Sequence, residues 1–214
     1  AHTVPKSGSL RKIARDGHVY SFSFSLKGIA ESKGKIRPKL VGLNKASTFT
    51  GFCGLHDNAV FSPIEKQPIT FSQEQCFLFG YRALARECYT KLGSLSISDL
   101  MRETDKGKSR AHQQRTQAYS FFHEISTSTG VKDNEHHKSK YDKLLVDKNY
   151  SDVRAYVIEL EAPPDIMASG GIFPEQDVHG NELQDFEDLG SILDHMNFAS
   201  FAVNDNGAVV FQWL

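Results

Sequence analysis

Cysteine is scarce and no long apolar run is present. The 214 residues contain only Cys53, Cys76 and Cys88, an odd number that cannot build a disulfide scaffold and suits a reducing compartment. No stretch approaches the roughly 20 apolar residues needed to cross a bilayer, so no membrane partner is expected and the chain is expected to be cytoplasmic. The opening Ala1-His2-Thr3-Val4-Pro5 lacks both a signal-peptide layout and an initiating Met. The final Val209-Val210-Phe211-Gln212-Trp213-Leu214 reads as a strand without a polar tail, so a truncated or processed chain is expected. Cationic residues are almost missing from the last third, where Arg154 alone faces twelve Asp and Glu over 151–214.

A hydrophobic fraction of 39% is enough to fill a core, which excludes wholesale disorder. The net charge of −1 conceals a division: residues 1–66 carry eleven Lys and Arg against four acids, and 67–150 carry thirteen against ten. Such polarity points to a polyanion partner for the front third, because cationic segments bind phosphate backbones through counterion release. It equally suits attraction between the two thirds, or charges dispersed on solvated faces.

The pattern predicts an α+β chain in three regions: a basic β-hairpin module over 1–66, a helical region over 67–150, and an acidic antiparallel β region over 151–214. Ser9 is placed to cap a short helix, Leu10 to Arg15, stopped at Gly17. Tyr20, Phe22, Phe24 and Leu26 alternate with Ser21, Ser23 and Ser25, which predicts a strand burying its aromatic face. A turn is expected over Ala30 to Lys35, then a strand from Ile36 to Leu43 with Pro38 at an edge. Thr48 to Cys53 reads as β-like before a tight turn at Gly54.

Ser72 and Gln75 form a capping-box pattern, with Phe71 placed to staple against Cys76. A core helix is predicted from Gln73 to Leu92 on the spacing of Phe77, Leu78, Tyr81, Leu84, Ala85, Cys88 and Leu92, ending at Gly93. Residues 94–150 read as polar helix with a basic stretch, Lys106 to Arg115, and a loop over Ser126 to Gly130. His136 and His137 read as a solvent-facing pair without metal. The last third predicts a strand from Val153 to Leu160, a short helix from Phe186 to Met196, and a hairpin turning at Asn204-Asp205-Asn206-Gly207.

The sharpest chemical signal is Cys53-Gly54-Leu55-His56-Asp57-Asn58. A thiol and an imidazole three residues apart can converge on one zinc ion, with two further ligands from His2, His18 or cysteines upstream, and Asp57 orienting His56. The doublet also reads as a capping Asp beside a packed histidine. An HD-type phosphohydrolase reading requires this doublet in a helix with further His and Asp ligands, and the extended run before it argues otherwise. A Cys53 nucleophile with His56 as base needs partners from distant segments. Ser169-Gly170-Gly171 lacks a phosphate-loop context, and Glu182, Asp185, Glu187 and Asp188 read as a solvated face.

His2-Thr3-Val4-Pro5, the hairpin, and Cys53-x-x-His56-Asp57-Asn58 together resemble a divergent treble-clef or HNH (ββα-metal) module over about the first 65 residues. The segment Phe-Cys-x-x-His-Asp-x-x-x-Phe-x-Pro-Ile-Glu, from Phe52 to Glu65, is similar to that of a family of bacterial proteins. The resemblance implies His2 as general base and metal-side residue, Cys53 and His56 as a structural zinc knuckle, and Asp57 or Asn58 beside a catalytic Mg²⁺ or Mn²⁺. It also implies a cysteine-bearing segment upstream of Ala1. The acidic residue that the pattern places before the base is Ala1 here, and Thr48 stands where its central Asn belongs. Lys6, Arg11, Lys12, Arg15, Lys35, Arg37, Lys39 and Lys45 would neutralise a nucleic acid, DNA rather than RNA. The alternative is a non-enzymatic interaction protein whose acidic third masks its basic third or docks a basic partner.

Overall fold

The computed structural model describes residues 2–22, 35, 37–188 and 190–214. The chain is α+β, as its patterning predicts, with an N-terminal hairpin, a helical middle and a C-terminal antiparallel sheet.

At the front, the π-wound turn Lys6–Leu10 runs directly into α1 (Arg11–Ile13). Ser9 does not cap this segment. It is fully buried inside it, donating to the Ala202 carbonyl at 3.3 Å and accepting from the Ala202 amide at 3.1 Å, which ties the front to the C-terminal sheet. Strands β1 (His18–Ser21) and β2 (Lys39–Gly42) pair antiparallel, with Pro38 just before β2, where its missing N–H costs no ladder bond. The buried face of β1 is the opposite of the one expected. Val19 is sealed against Val4, Leu10 and Ala46 in a small satellite core, while Tyr20 and Phe22 are exposed. The continuation through Phe24 and Leu26, and the turn from Ala30, lie outside the described residues.

Thr48 pairs with His2, but the extended run is brief. Gly54 opens a helix, α2 (Gly54–Val60), followed at once by α3 (Ser62–Glu65). Helix α4 (Gln73–Leu95) starts where the capping pattern places it. Ser72 accepts from the Gln75 amide at 3.3 Å, Phe71 packs beside Cys76, and the Gln75 side chain donates to the carbonyls of Pro63 and Pro68. Gly93 does not stop it, and the helix continues to Leu95.

Helix α5 (Ile97–Glu103) turns into α6 (Arg110–Asp147), 38 residues that include the expected loop at Ser126 to Gly130. Packing on both sides of that polar stretch overrides its low helix propensity. On its N-terminal side His123 bonds Ser98 at 2.9 Å and Arg102 pairs with Glu124; on the other, Cys88 reaches the Asn134 carbonyl.

The C-terminal sheet has the order β3-β6-β5-β4, all antiparallel, from β3 (Arg154–Leu160), β4 (Ser169–Ile172), β5 (Met196–Val203) and β6 (Asn206–Trp213). The hairpin turns two residues earlier than its Asn-Gly signal suggests. Val203 pairs with Asn206, and Asn204 takes the left-handed conformation, which Asn tolerates. No helix forms over the described residues of 186–196. That segment is a loop held by its own polar side chains: Asp185 accepts from the Glu187 amide, and Gln184 exchanges bonds with Asp194.

One core joins these parts. Helix α4 lies between the sheet and α6, with Phe79 stacked on Phe201 at 4.2 Å and Phe77 on Tyr141 at 5.5 Å. Phe61 and Ile64 bring α2 and α3 into the same cluster, which sets the Cys53 segment on a rigid base.

Candidate metal and nucleic-acid site

Cys53 occupies the N-cap position of α2 with extended backbone, and His56 is the third residue of the helix. N-cap and third helical residues lie close together across the first turn, and here Cys53 Sγ lies 3.2 Å from His56 Nδ1. Both side chains are exposed. Cys53 is therefore the exposed thiol of the chain, while Cys76 and Cys88 are buried, with burial pushing each up to about 11.

His56 is not the packed histidine of the capping reading, and Asp57 does not cap; it lies half-buried in the first helical turn, where negative charge favours the exposed N–H groups. The His56-Asp57 doublet is thus helical after all. Among the described residues, however, no three His, Cys, Asp or Glu side chains form a group able to hold a metal ion. A thiolate and an imidazole are both zinc donors, and a tetrahedral zinc site takes four, so Cys53 and His56 could supply at most two of them. The structure does not bring His2 into a three-ligand group with them.

His2 faces a different space. Its strand-like pairing with Thr48 and a 2.9 Å bond from Nδ1 to the Ala46 carbonyl fix the ring. A carbonyl can only accept, so Nδ1 carries the proton and Nε2 keeps its lone pair. Burial lowers the His2 pKa below the usual imidazole value, opposed by the Ala46 bond, which leaves the ring neutral at neutral pH. His2, Asp57, Asn58, Glu65, Lys66 and Arg82 line one cleft of about 220 Å³. Asp57 and Asn58, either of which is expected on the metal side, thus line the same cleft as His2. Asn58 donates one N–H of its side-chain amide to the Gly54 carbonyl at 2.8 Å, which holds the side chain against the first turn of α2.

Arg82 is the member that sequence reasoning missed. It lies on α4 with a side chain 1% exposed, bonded to Glu65 at 2.6 Å and stacked over Phe61 at 4.3 Å from the ring centre. Burial works against its charge, and Glu65 and then Asp57 offset that cost. Its Nε has no hydrogen-bond partner among the described residues. The available signal was a cation among the apolar positions of the most regular helix in the chain.

The cationic set divides. Lys6, Arg11 and Lys45 line a second cleft of about 600 Å³ together with His18 and Asn44. Arg15, Lys35, Arg37 and Lys39 are exposed around the hairpin. Lys12 turns away and pairs with Asp205 in the β5–β6 turn at 2.8 Å.

His137, expected in solvent, is buried. Its Nε2 donates to the Leu193 carbonyl at 2.7 Å, and its ring lies 5.4 Å from that of His195. The Nε2 edge of His195 abuts Gly171, where an added Cβ would come within 2.0 Å of it. Burial, then the neighbouring His137 and Lys91, push His195 down to about 3. This pair locks the 183–195 loop to α6, a role that no spacing in the sequence could reveal. Comparison with protein-family models, curated proteins and solved structures finds no match to this chain.

Proposed function

We propose that residues 2–66 form a nucleic-acid-binding module of the HNH type, acting as a metal-dependent endonuclease. The observation that carries this reading is the convergence of His2, Asp57 and Asn58 on one cleft, beside an exposed thiol and imidazole 3.2 Å apart. In it, Cys53 and His56 hold one side of a zinc knuckle, and Asp57 and Asn58 face the metal side of the cleft. Zinc would brace α2, and a Mg²⁺ or Mn²⁺ ion would polarise the scissile phosphate. His2, neutral and oriented by the Ala46 carbonyl, takes the proton of the attacking water at Nε2. Lys6, Arg11 and Lys45 bind the phosphate backbone from the neighbouring cleft, with DNA the expected strand.

The test is metal analysis of the purified protein combined with plasmid nicking in Mg²⁺ or Mn²⁺. Wild type is expected to nick, His2→Ala to lose cleavage while keeping its metal, and His56→Ala to lose both. Absence of cleavage and of bound metal in the wild type contradicts the nuclease reading.

A second reading has its own support. The Lys12–Asp205 pair and the Ser9 bonds to Ala202 join the basic front to the acidic sheet, as an interaction protein that masks its own charge would require. Salt-dependent DNA binding separates the two, because affinity that does not fall with salt is inconsistent with phosphate contacts.

A further inference from the structure

Three segments of the basic front meet at the cleft of about 600 Å³, and each is mounted on the satellite core. Leu10 is buried beside exposed Arg11, Val19 beside exposed His18, and Ala46 beside exposed Lys45. Packing of the three apolar residues therefore fixes the backbone from which their polar neighbours reach the cleft. Arg15 and His18 exchange backbone bonds at 2.9 Å around Asp16 and Gly17, both with positive φ, a tight turn for which an Asp-Gly pair is suited. The Leu43 amide closes that turn onto the neighbouring segment by donating to the Gly17 carbonyl at 3.0 Å.

The lining carries a surplus of positive charge. Lys6, Arg11 and Lys45 stand against one acid, Asp16. Lys6 donates to Asn44 Oδ1 at 2.5 Å, and among the described residues neither Arg11 nor Lys45 has an acidic partner. His18 Nδ1 lies 2.8 Å from the Asp16 carbonyl, so Nδ1 carries a proton and Nε2 is the ring nitrogen left for a ligand. Nε2 accepts a hydrogen bond when the ring is neutral and donates one when it is charged. A phosphodiester inside a strand has a single negative charge and no proton to give. A terminal phosphate has up to two charges and a proton that titrates at about pH 6, so it answers the surplus of cations and bonds Nε2 in either state.

We propose that this cleft binds a terminal phosphate, a phosphate monoester at the end of a nucleic-acid strand or on a free nucleotide, with His18 reading the monoester and Lys6, Arg11 and Lys45 neutralising it. Its volume falls within the range of about 300 to 1,000 Å³ common to small-molecule sites, which leaves room for the end nucleotide as well as its phosphate. The proposal rests on the reading of this cleft as a phosphate contact and narrows it from backbone to end; cleavage at His2 is not required. The loop that carries Lys45 also presents the Ala46 carbonyl to His2, so a strand end held here lies on the loop that orients the proposed base.

The test is fluorescence anisotropy on the full chain without divalent ions, using one internally labelled DNA strand with hydroxyl ends, a 5′-phosphate or a 3′-phosphate. One of the phosphorylated strands is expected to bind about ten-fold more tightly than the hydroxyl-ended strand. His18→Ala, folded by circular dichroism, should remove that preference and leave the affinity for hydroxyl ends unchanged, while Lys12→Ala, whose lysine pairs with Asp205, should keep it. A nucleoside monophosphate should compete and shift the His18 ring signals in NMR of the wild type, and the bare nucleoside should do neither. Equal affinity for all three strands overturns the proposal and leaves nucleic-acid binding standing, and a preference that survives His18→Ala overturns it too. If no strand binds but the nucleoside monophosphate does, the proposal holds with a free nucleotide as the source and the nucleic-acid reading fails. If neither binds, both fail.

Discussion

Exchanging Glu65 for Gln should destabilise this protein more than removing the arginine it pairs with. The Glu65 carboxylate is 29% exposed, whereas the Arg82 side chain is only 1% exposed. Glu65→Gln leaves a buried guanidinium with only the weaker support of Asp57, and breaking one side of a buried pair costs about 3 to 5 kcal/mol. Arg82→Met leaves Glu65 partly hydrated and replaces the guanidinium over Phe61 with an apolar side chain that fills part of its space, so about 1 to 2 kcal/mol is expected. The double variant should recover most of the loss, because two neutral groups of similar shape avoid the desolvation penalty altogether. With total stabilities commonly about 5 to 15 kcal/mol, the single change at Glu65 removes a large share. Urea unfolding followed by circular dichroism measures all three, read from midpoints at constant slope. Equal losses in the two single variants, or additive losses in the double, would refute the buried-charge reasoning.

Acid should loosen the loop clasp. His195 is held neutral with its pKa near 3 against an ordinary 6.5, so the unfolded chain binds the extra proton and stability falls as pH drops from 6.5 toward 3. The loss is about 1.4 kcal/mol per pH unit for one group, and His195→Phe should flatten the pH dependence of the urea midpoint over that window. Gly80→Ala should cost about 1 to 3 kcal/mol, although alanine favours helices. The new Cβ would fall 1.7 Å from Gln212 Oε1, which is buried and accepts from Tyr141 and Asn197. A neutral or stabilising Gly80→Ala in thermal unfolding would contradict that packing.

Much of the local architecture is legible in the chain itself. The capping residues of α4, the strand at 154–160 and the final hairpin follow from short-range chemistry that tertiary structure had no reason to override. The closeness of Cys53 and His56 is legible from their spacing, although a tight turn is expected at Gly54 and the structure forms it as the first turn of α2. Alternation in β1 gave the period but not which face is buried, because that depends on Val19 finding Val4 and Leu10 from another segment. The same limit applies to α6, whose polar middle is helical only because both of its ends are anchored. Arg82, His137 and His195 owe their roles to partners about 17 to 58 positions away in the chain, and no periodicity records such contacts.

Cobalt titration is the most direct test of the knuckle on which the functional reading depends. Co²⁺ bound by a thiolate gives a charge-transfer absorption, and Cys53 is the exposed thiol available to give it. The expected result is a thiolate band in the wild type that disappears in Cys53→Ser and weakens in His56→Ala while Cys76 and Cys88 remain. An identical spectrum in wild type and Cys53→Ser, or no thiolate band in the wild type, contradicts a metal shared by residues 53 and 56.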